Sequence, residues 1–239
     1  MGADDTHGQC DSSVRPAPGG AADDVDREGT VHGLYSPSYR PTTRHSEFGF
    51  WAHVRHRDYR VRAVPTAPPP MIYPITKYGA AVLETPTAPV EKFDDELAKL
   101  CEDMFESMYV AQGVGLAATQ IGLSKRLAVV DVSVGKNPEA RLVLANPEIV
   151  HVEGDQREEE GCLSLPGFRG NVLRPAYVTV RAQNLKGEVY EMRGEGLLAR
   201  AFCHEIDHLD GILFLQHLSM LKRDLIKRRI RKMRKTGEW

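Results

Sequence analysis

The chain has 239 residues, a formal net charge of −2 and four cysteines. That length suits one enzyme domain with an appendage, or two small domains, and no apolar run approaches the ~20 residues a membrane helix needs. The near-neutral balance gives no global reason to expect a polyanionic partner. Cys10, Cys101, Cys162 and Cys203 form neither a CxxC pair nor a disulfide framework. The first thirty residues lack the apolar core of a signal peptide and are rich in Asp. A reducing cytoplasm is the simplest reading, in which free thiols become candidate ligands.

Residues 1–70 contain no Lys, Ile or Asn and end in Pro65, Pro68, Pro69 and Pro70. Apolar burial is the main stabilising term of a packed domain, so this segment reads as a disordered extension or as upstream sequence from a mis-assigned start. Met71 opens a new composition, and 71–239 reads as the working domain. Phe93, Leu97, Leu100, Cys101, Met104, Phe105 and Met108 recur at helical spacing. They predict an amphipathic helix over 94–110, with Asp94 and Asp95 at its positive end. A Gly-rich turn follows at Gly113 and Gly115. Strands are expected at Leu127–Val132, Leu142–Ala145, Ile149–Val152, Tyr177–Ala182 and Glu188–Met192. A second helix is expected from Gly194–Gly196 to Leu209, stopped by Asp210–Gly211, and a third from about Met220 to Lys235. Helix, strands, helix, helix is an α+β order. The expected fold is short antiparallel or mixed sheets around a central helix, between an N-terminal amphipathic helix and a C-terminal basic one.

The sharpest signal lies on that second helix: His204-Glu205-Ile206-Asp207-His208. Positions four apart share a helix face, so the two imidazoles can converge on one ion while Glu205 reaches a water on it. A catalytic site of this type needs a third protein ligand and an open position. The segment downstream of His208 offers His217 as its single His, and no HExxHxxGxxH pattern occurs. Upstream, Glu160-Gly161-Cys162-Leu163-Ser164 places a thiol in a strand-flanked turn, and a thiolate with two imidazoles is a plausible catalytic set. Cys203 is the rival thiol. One residue turns a helix by ~100°, which points Cys203 away from the face His204 and His208 share.

Three motifs in order resemble the peptide deformylase family: Gly113-Val114-Gly115-Leu116-Ala117-Ala118-Thr119-Gln120, Glu160-Gly161-Cys162-Leu163-Ser164 and His204-Glu205-Ile206-Asp207-His208. The likeness runs from about Met71 to the C-terminal helix. It implies hydrolysis of the formyl group from the N-terminal formyl-methionine of new polypeptides. By the same resemblance Cys162, His204 and His208 hold the metal and Glu205 is the acid/base. The Gln120 side-chain amide and the Leu163 N–H face the developing oxyanion. Gly115 and Gly161 pair with the substrate backbone. Val114, Glu160, Leu197, Ala201 and His204 line the methionine pocket, and Arg169 contacts the peptide beyond it. Spacing leaves zinc, iron, nickel or cobalt open; the resemblance favours Fe(II), with zinc commonly bound instead. The Gly-x-Gly turn matches neither a dinucleotide fingerprint nor a P-loop, so no nucleotide cofactor is expected. Two positions depart from the family pattern. Ala80-Ala81 stand where Asp-Pro is frequent, and Cys203 stands where Gln is usual.

Lys222–Lys235 holds nine Lys/Arg against one acid, Asp224. Leu218, Leu221, Leu225, Ile226, Ile230 and Met233 form an apolar stripe that would pack it on the domain. The basic face could also contact phosphate, which suits an enzyme working on chains that leave the ribosome. A second reading is therefore a ribosome-associated binding protein with a structural metal, although such a site needs neither Glu205 nor Gln120. A third, a general metallopeptidase, is disfavoured by Cys162 as ligand and by the lack of a downstream one.

Overall fold

The computed structural model describes residues 69–239; the reading of residues 1–68 as an extension lies outside the described residues. Among the described residues the fold is α+β, with three α-helices and one five-stranded antiparallel sheet in the order β1-β2-β3-β4-β5. In chain order the elements are α1 (Asp95–Val110), β1 (Gly115–Ala117), β2 (Leu127–Val130), β3 (Leu142–Gly161), β4 (Arg169–Gln183), β5 (Val189–Glu195), α2 (Gly196–Leu209) and α3 (Met220–Thr236).

Helix α1 starts where Asp94 caps it: its carboxylate accepts from the Leu97 N–H at 3.0 Å, satisfying one orphan donor of the first turn. Its inner face buries Leu97, Cys101, Met104, Phe105 and Met108. Strand β2 decides which helix meets which face of the sheet. Alternate residues of a strand point to opposite sides. Leu127 and Val129 join the α1 residues in one core, while Ala128 and Val130 join Phe202, Ile206 and Leu209 of α2 in another. A third core forms where Leu165 and Val172 meet Phe214, Leu215 and Leu218 with Ile226 and Ile230 of α3.

Three details differ from the sequence reading. The runs 142–145 and 149–152 are parts of a single strand, β3, broken in register between Ala145 and Glu148 and between Ile149 and His151. That strand continues through the exposed acidic stretch to Gly161 because β4 pairs it residue for residue from Asp155 to Gly161; the apolar side chain this ribbon buries, Val172, belongs to β4, so the β3 side carries no apolar alternation. Gly115 is not in a turn but opens β1, opposite Val130. Finally, the stripe on α3 is narrower than expected. Ile226 and Ile230 are buried, whereas Leu221 and Leu225 are 73% and 56% exposed, since five residues along a helix is a rotation of about 140°.

Candidate active site

Two elements build the site. α2 presents His204 and His208 four positions apart, with ring centroids 5.1 Å from each other. The turn leaving β3 brings Cys162 to them: its Sγ is 3.1 Å from His208 Nε2, and one donor atom from each of Cys162, His204 and His208 lies within 4.8 Å of the others. His204 Nδ1 faces the Glu160 carboxylate at 3.3 Å. That contact fixes the ring and leaves Nε2 free for an ion, as ligating histidines require. Burial alone would push the Cys162 thiol up, but the His208 and His204 rings beside it hold it well below the ordinary thiol value, the thiolate form a metal takes. A thiolate and two imidazoles fit a divalent transition metal.

The other described thiols behave differently. Cys203 is buried against the sheet among Phe202, Ile206 and Ala182, and burial pushes it up to about 11; Cys101 is pushed to about 12 by burial. Cys162→Ser should therefore lower the bound metal per chain by an order of magnitude or more, while Cys203→Ser leaves it unchanged. Metal analysis of the purified variants checks this, and the reverse pattern would move the third ligand to Cys203.

Glu205 is 3% exposed, and its Oε2 has no hydrogen-bond partner among the described residues. Desolvation raises its pKa to about 7 against the pull of the two histidines. A buried carboxyl in that range can both take and return a proton near neutrality. Gln120 is oriented by its own backbone neighbourhood. Its Oε1 accepts from the Ala117 N–H at 2.9 Å, which turns the NH₂ toward Cys162 Sγ at 3.7 Å and Ser164 Oγ at 3.4 Å.

These groups open into a cavity of about 580 Å³. Val114, Gly115, Gln120, Glu160, Gly161, Cys162, Leu163, Arg169, Leu197, Ala201, His204 and Glu205 all line it; His208, 1% exposed, lies beneath. The structure thus brings together every residue proposed for the site. It also shows a network that sequence reasoning did not find. Arg174, on β4, donates to both Glu160 oxygens at 2.9 and 3.1 Å and to Asp207 Oδ2 at 2.7 Å, and His217 Nε2 sits 2.8 Å from the same Asp207 oxygen. Burial would raise Glu160, but the hydrogen bonds from His204 and Arg174 outweigh it and hold the carboxyl at about 2. The available signal was parity: Arg174 shares the inward face of β4 with Gly170 and Val172, and a buried charge needs partners.

The family model for polypeptide deformylase matches residues 72–224. The chain belongs to the polypeptide deformylase family. Among deformylases, that of Acidobacterium capsulatum is 63% identical over 169 residues, 71% of this chain and 99% of its own. That of Clostridium botulinum is 53% identical over 141 residues, 59% of this chain and 92% of its own. In three dimensions the chain resembles the crystal structure of the deformylase from Legionella pneumophila, with a TM-score of 0.65 at 45% identity over 70% of this chain and 97% of that one. For a deformylase, the two departures noted in the sequence are local. Ala81 lies in a 3₁₀ turn, Ala81–Glu84, and Cys203 packs in the core; neither residue lines the cavity.

Proposed function

We propose that residues 71–239 are a catalytic domain that hydrolyses the formyl group from the N-terminal formyl-methionine of newly made polypeptides, releasing formate. The observation that carries this reading is a buried Glu205, its Oε2 without a hydrogen-bond partner among the described residues, beside converging Cys162, His204 and His208 donors at one cleft. Support also comes from the family and from relatives matched over nearly their whole length.

Cys162, His204 and His208 would hold one divalent ion, Fe(II) by preference with zinc as the alternative, which when bound supplies Lewis acidity and draws the pKa of water from ~15.7 toward ~7. Glu205 accepts a proton from the attacking water and delivers it to the amine as the C–N bond of the formamide breaks. The water oxygen ends in formate. Gln120 Nε2 and the Leu163 N–H donate to the formyl oxygen as charge gathers there; one such donor is typically worth ~3–4 kcal/mol. The backbones of Gly115 and Gly161 flank the peptide as neighbouring strands. Val114, Leu197, Ala201, Glu160 and His204 surround the methionine side chain, with Glu160 acting chiefly through the His204 ring that it orients. Arg169 meets the peptide beyond the methionine. Helix α2 carries both histidines and Glu205, and on this reading is the centre of the fold.

The deciding experiment gives formyl-Met tripeptide and unblocked tripeptide to the full chain and to a chain lacking residues 2–70. Both proteins should release formate at equal rates and leave the unblocked peptide intact. Cleavage of the unblocked peptide would indicate a metallopeptidase; no formate from either protein would leave a binding protein.

Among the described residues no helix is long and apolar enough to cross a membrane, and we place the enzyme in the cytoplasm, beside ribosomes. The basic face of α3 is the element suited to ribosomal RNA, because each neutralised phosphate releases a counterion. Replacing Arg228, Arg229, Arg231 and Lys232 together by Gln should weaken co-sedimentation with ribosomes at low salt at least about tenfold and leave tripeptide hydrolysis unchanged. Undiminished co-sedimentation would reduce α3 to a packing element.

A further inference from the structure

The far end of α3 reaches the rim of the cleft, although none of its residues lines the cavity. Tyr78 O accepts a hydrogen bond from Trp239 Nε1 at 3.2 Å and another from the Arg234 guanidinium. The Trp239 ring also lies 6.1 Å from that of Phe168, tilted by 55°, with Lys77 Nζ over it at 5.7 Å. The segment so gripped is a strap. Thr76 N–H donates to Gln120 O at 2.7 Å, and Tyr78 N–H donates to Ser164 O at 2.8 Å. One short stretch therefore joins the end of α3 to the turn that carries Gln120 and to the turn that carries Cys162. Ile75 from the strap and Phe168 from the loop between β3 and β4 both line the cleft.

That loop fixes its own backbone by two hydrogen bonds, Leu165 N–H to Cys162 O at 2.9 Å and Phe168 N–H to Leu165 O at 3.1 Å. Gly167 between them adopts φ +80°, and the Phe168 ring packs against the third core together with Tyr78 and Trp239. The ring of Trp239 covers that ring on its outer side. Phe168 immediately precedes Arg169, whose exposed side chain borders the cleft. The wall in question is thus the one facing the peptide after its methionine, not the buried metal donors.

We propose that Trp239 is a positioning residue for peptide recognition: it holds Phe168 and the Ile75–Tyr78 strap in place, and so tunes affinity for the residues that follow formyl-methionine. This rests on the formyl-peptide reading above. An aromatic pair in this geometry gives a modest, separable contribution, and it acts on substrate binding instead of on the reacting atoms. The effect should consequently appear in KM for longer peptides and not in kcat.

The test compares formyl-Met-Ala-Ser with formyl-Met methylamide on the full chain. Trp239→Ala should raise KM for the tripeptide about five- to tenfold, with kcat and the short substrate within about twofold. Trp239→Phe, which keeps a ring against Phe168, should recover most of the loss. Phe168→Ala should raise KM for the tripeptide at least as much as Trp239→Ala, and adding Trp239→Ala to it should change that KM by less than about twofold, as expected for two residues acting through one contact. Equal KM changes on both substrates, a fall in kcat, additive single variants or no change would each overturn the proposal. If the parent chain leaves both substrates intact, the reading of the cleft fails first and this proposal with it; a working parent with unaltered variants sinks this proposal alone.

Discussion

Glu205→Gln should retain a full complement of metal and lose about 10²–10⁴-fold in kcat/KM for formyl-Met peptides, the range a positioned general acid/base contributes. The substitution keeps size and shape, and Cys162, His204 and His208 remain as the converging donors. It removes a buried carboxyl that faces the cleft with its Oε2 unpartnered among the described residues and that desolvation holds near neutrality, at about 7. Metal analysis and formate release measured on the same preparation separate the two properties. Turnover near the parental rate would show that another group carries the proton.

Gly115→Ala should be nearly as damaging, although it adds a single carbon. A Cβ built there lies 2.3 Å from Glu205 Oε1, 2.8 Å from its Cδ and 2.9 Å from its Cγ. Neither side has room to yield. Gly115 is paired to Val130 in the sheet, and Glu205 is 3% exposed on a helix packed against that sheet. The carboxylate must leave its position, and a displacement of about 1 Å can cost on the order of 10² in rate. Metal content should stay normal, with overpacking lowering stability by about 1–3 kcal/mol. A variant that keeps parental kcat would mean that the Glu205 carboxylate does not need the place it occupies beside Gly115.

Gly115 also shows how far the sequence could be read. Its lack of a side chain is visible in the sequence and suits pairing with a substrate backbone, but its neighbour is not visible: Glu205 lies ninety positions away in the chain. His204 and His208 were legible because helical periodicity is local. Cys162 was legible because helix geometry discounts Cys203, whose burial in the core the structure shows. The acidic half of β3 carries no apolar alternation to detect, since the apolar side chain this ribbon buries, Val172, belongs to β4. Leu221 and Leu225 fell into the predicted stripe of α3 because a periodic pattern marks which residues can share a face, not how wide a face the domain covers. Arg174 was missed because each of its partners comes from a different element, and sequence spacing holds no record of such convergence.

That guanidinium constrains how this sequence can drift. Arg174 is 5% exposed and neutralises two carboxylates, Glu160 at 7% and Asp207 at 18%. Losing it leaves Glu160 and Asp207 with only the His204 and His217 rings as partners, at a cost of about 3–5 kcal/mol for breaking a buried pair, a large share of a domain's typical 5–15 kcal/mol. Losing one acid is milder, because the guanidinium keeps the other. For stability, tolerance at the three positions is thus asymmetric: neutralising 160 or 207 alone costs less than removing 174 while both acids remain. An evolutionary or design path that removes the arginine first passes through a state near unfolding, and the order of replacement, more than the identity of the final residues, decides whether the path is open.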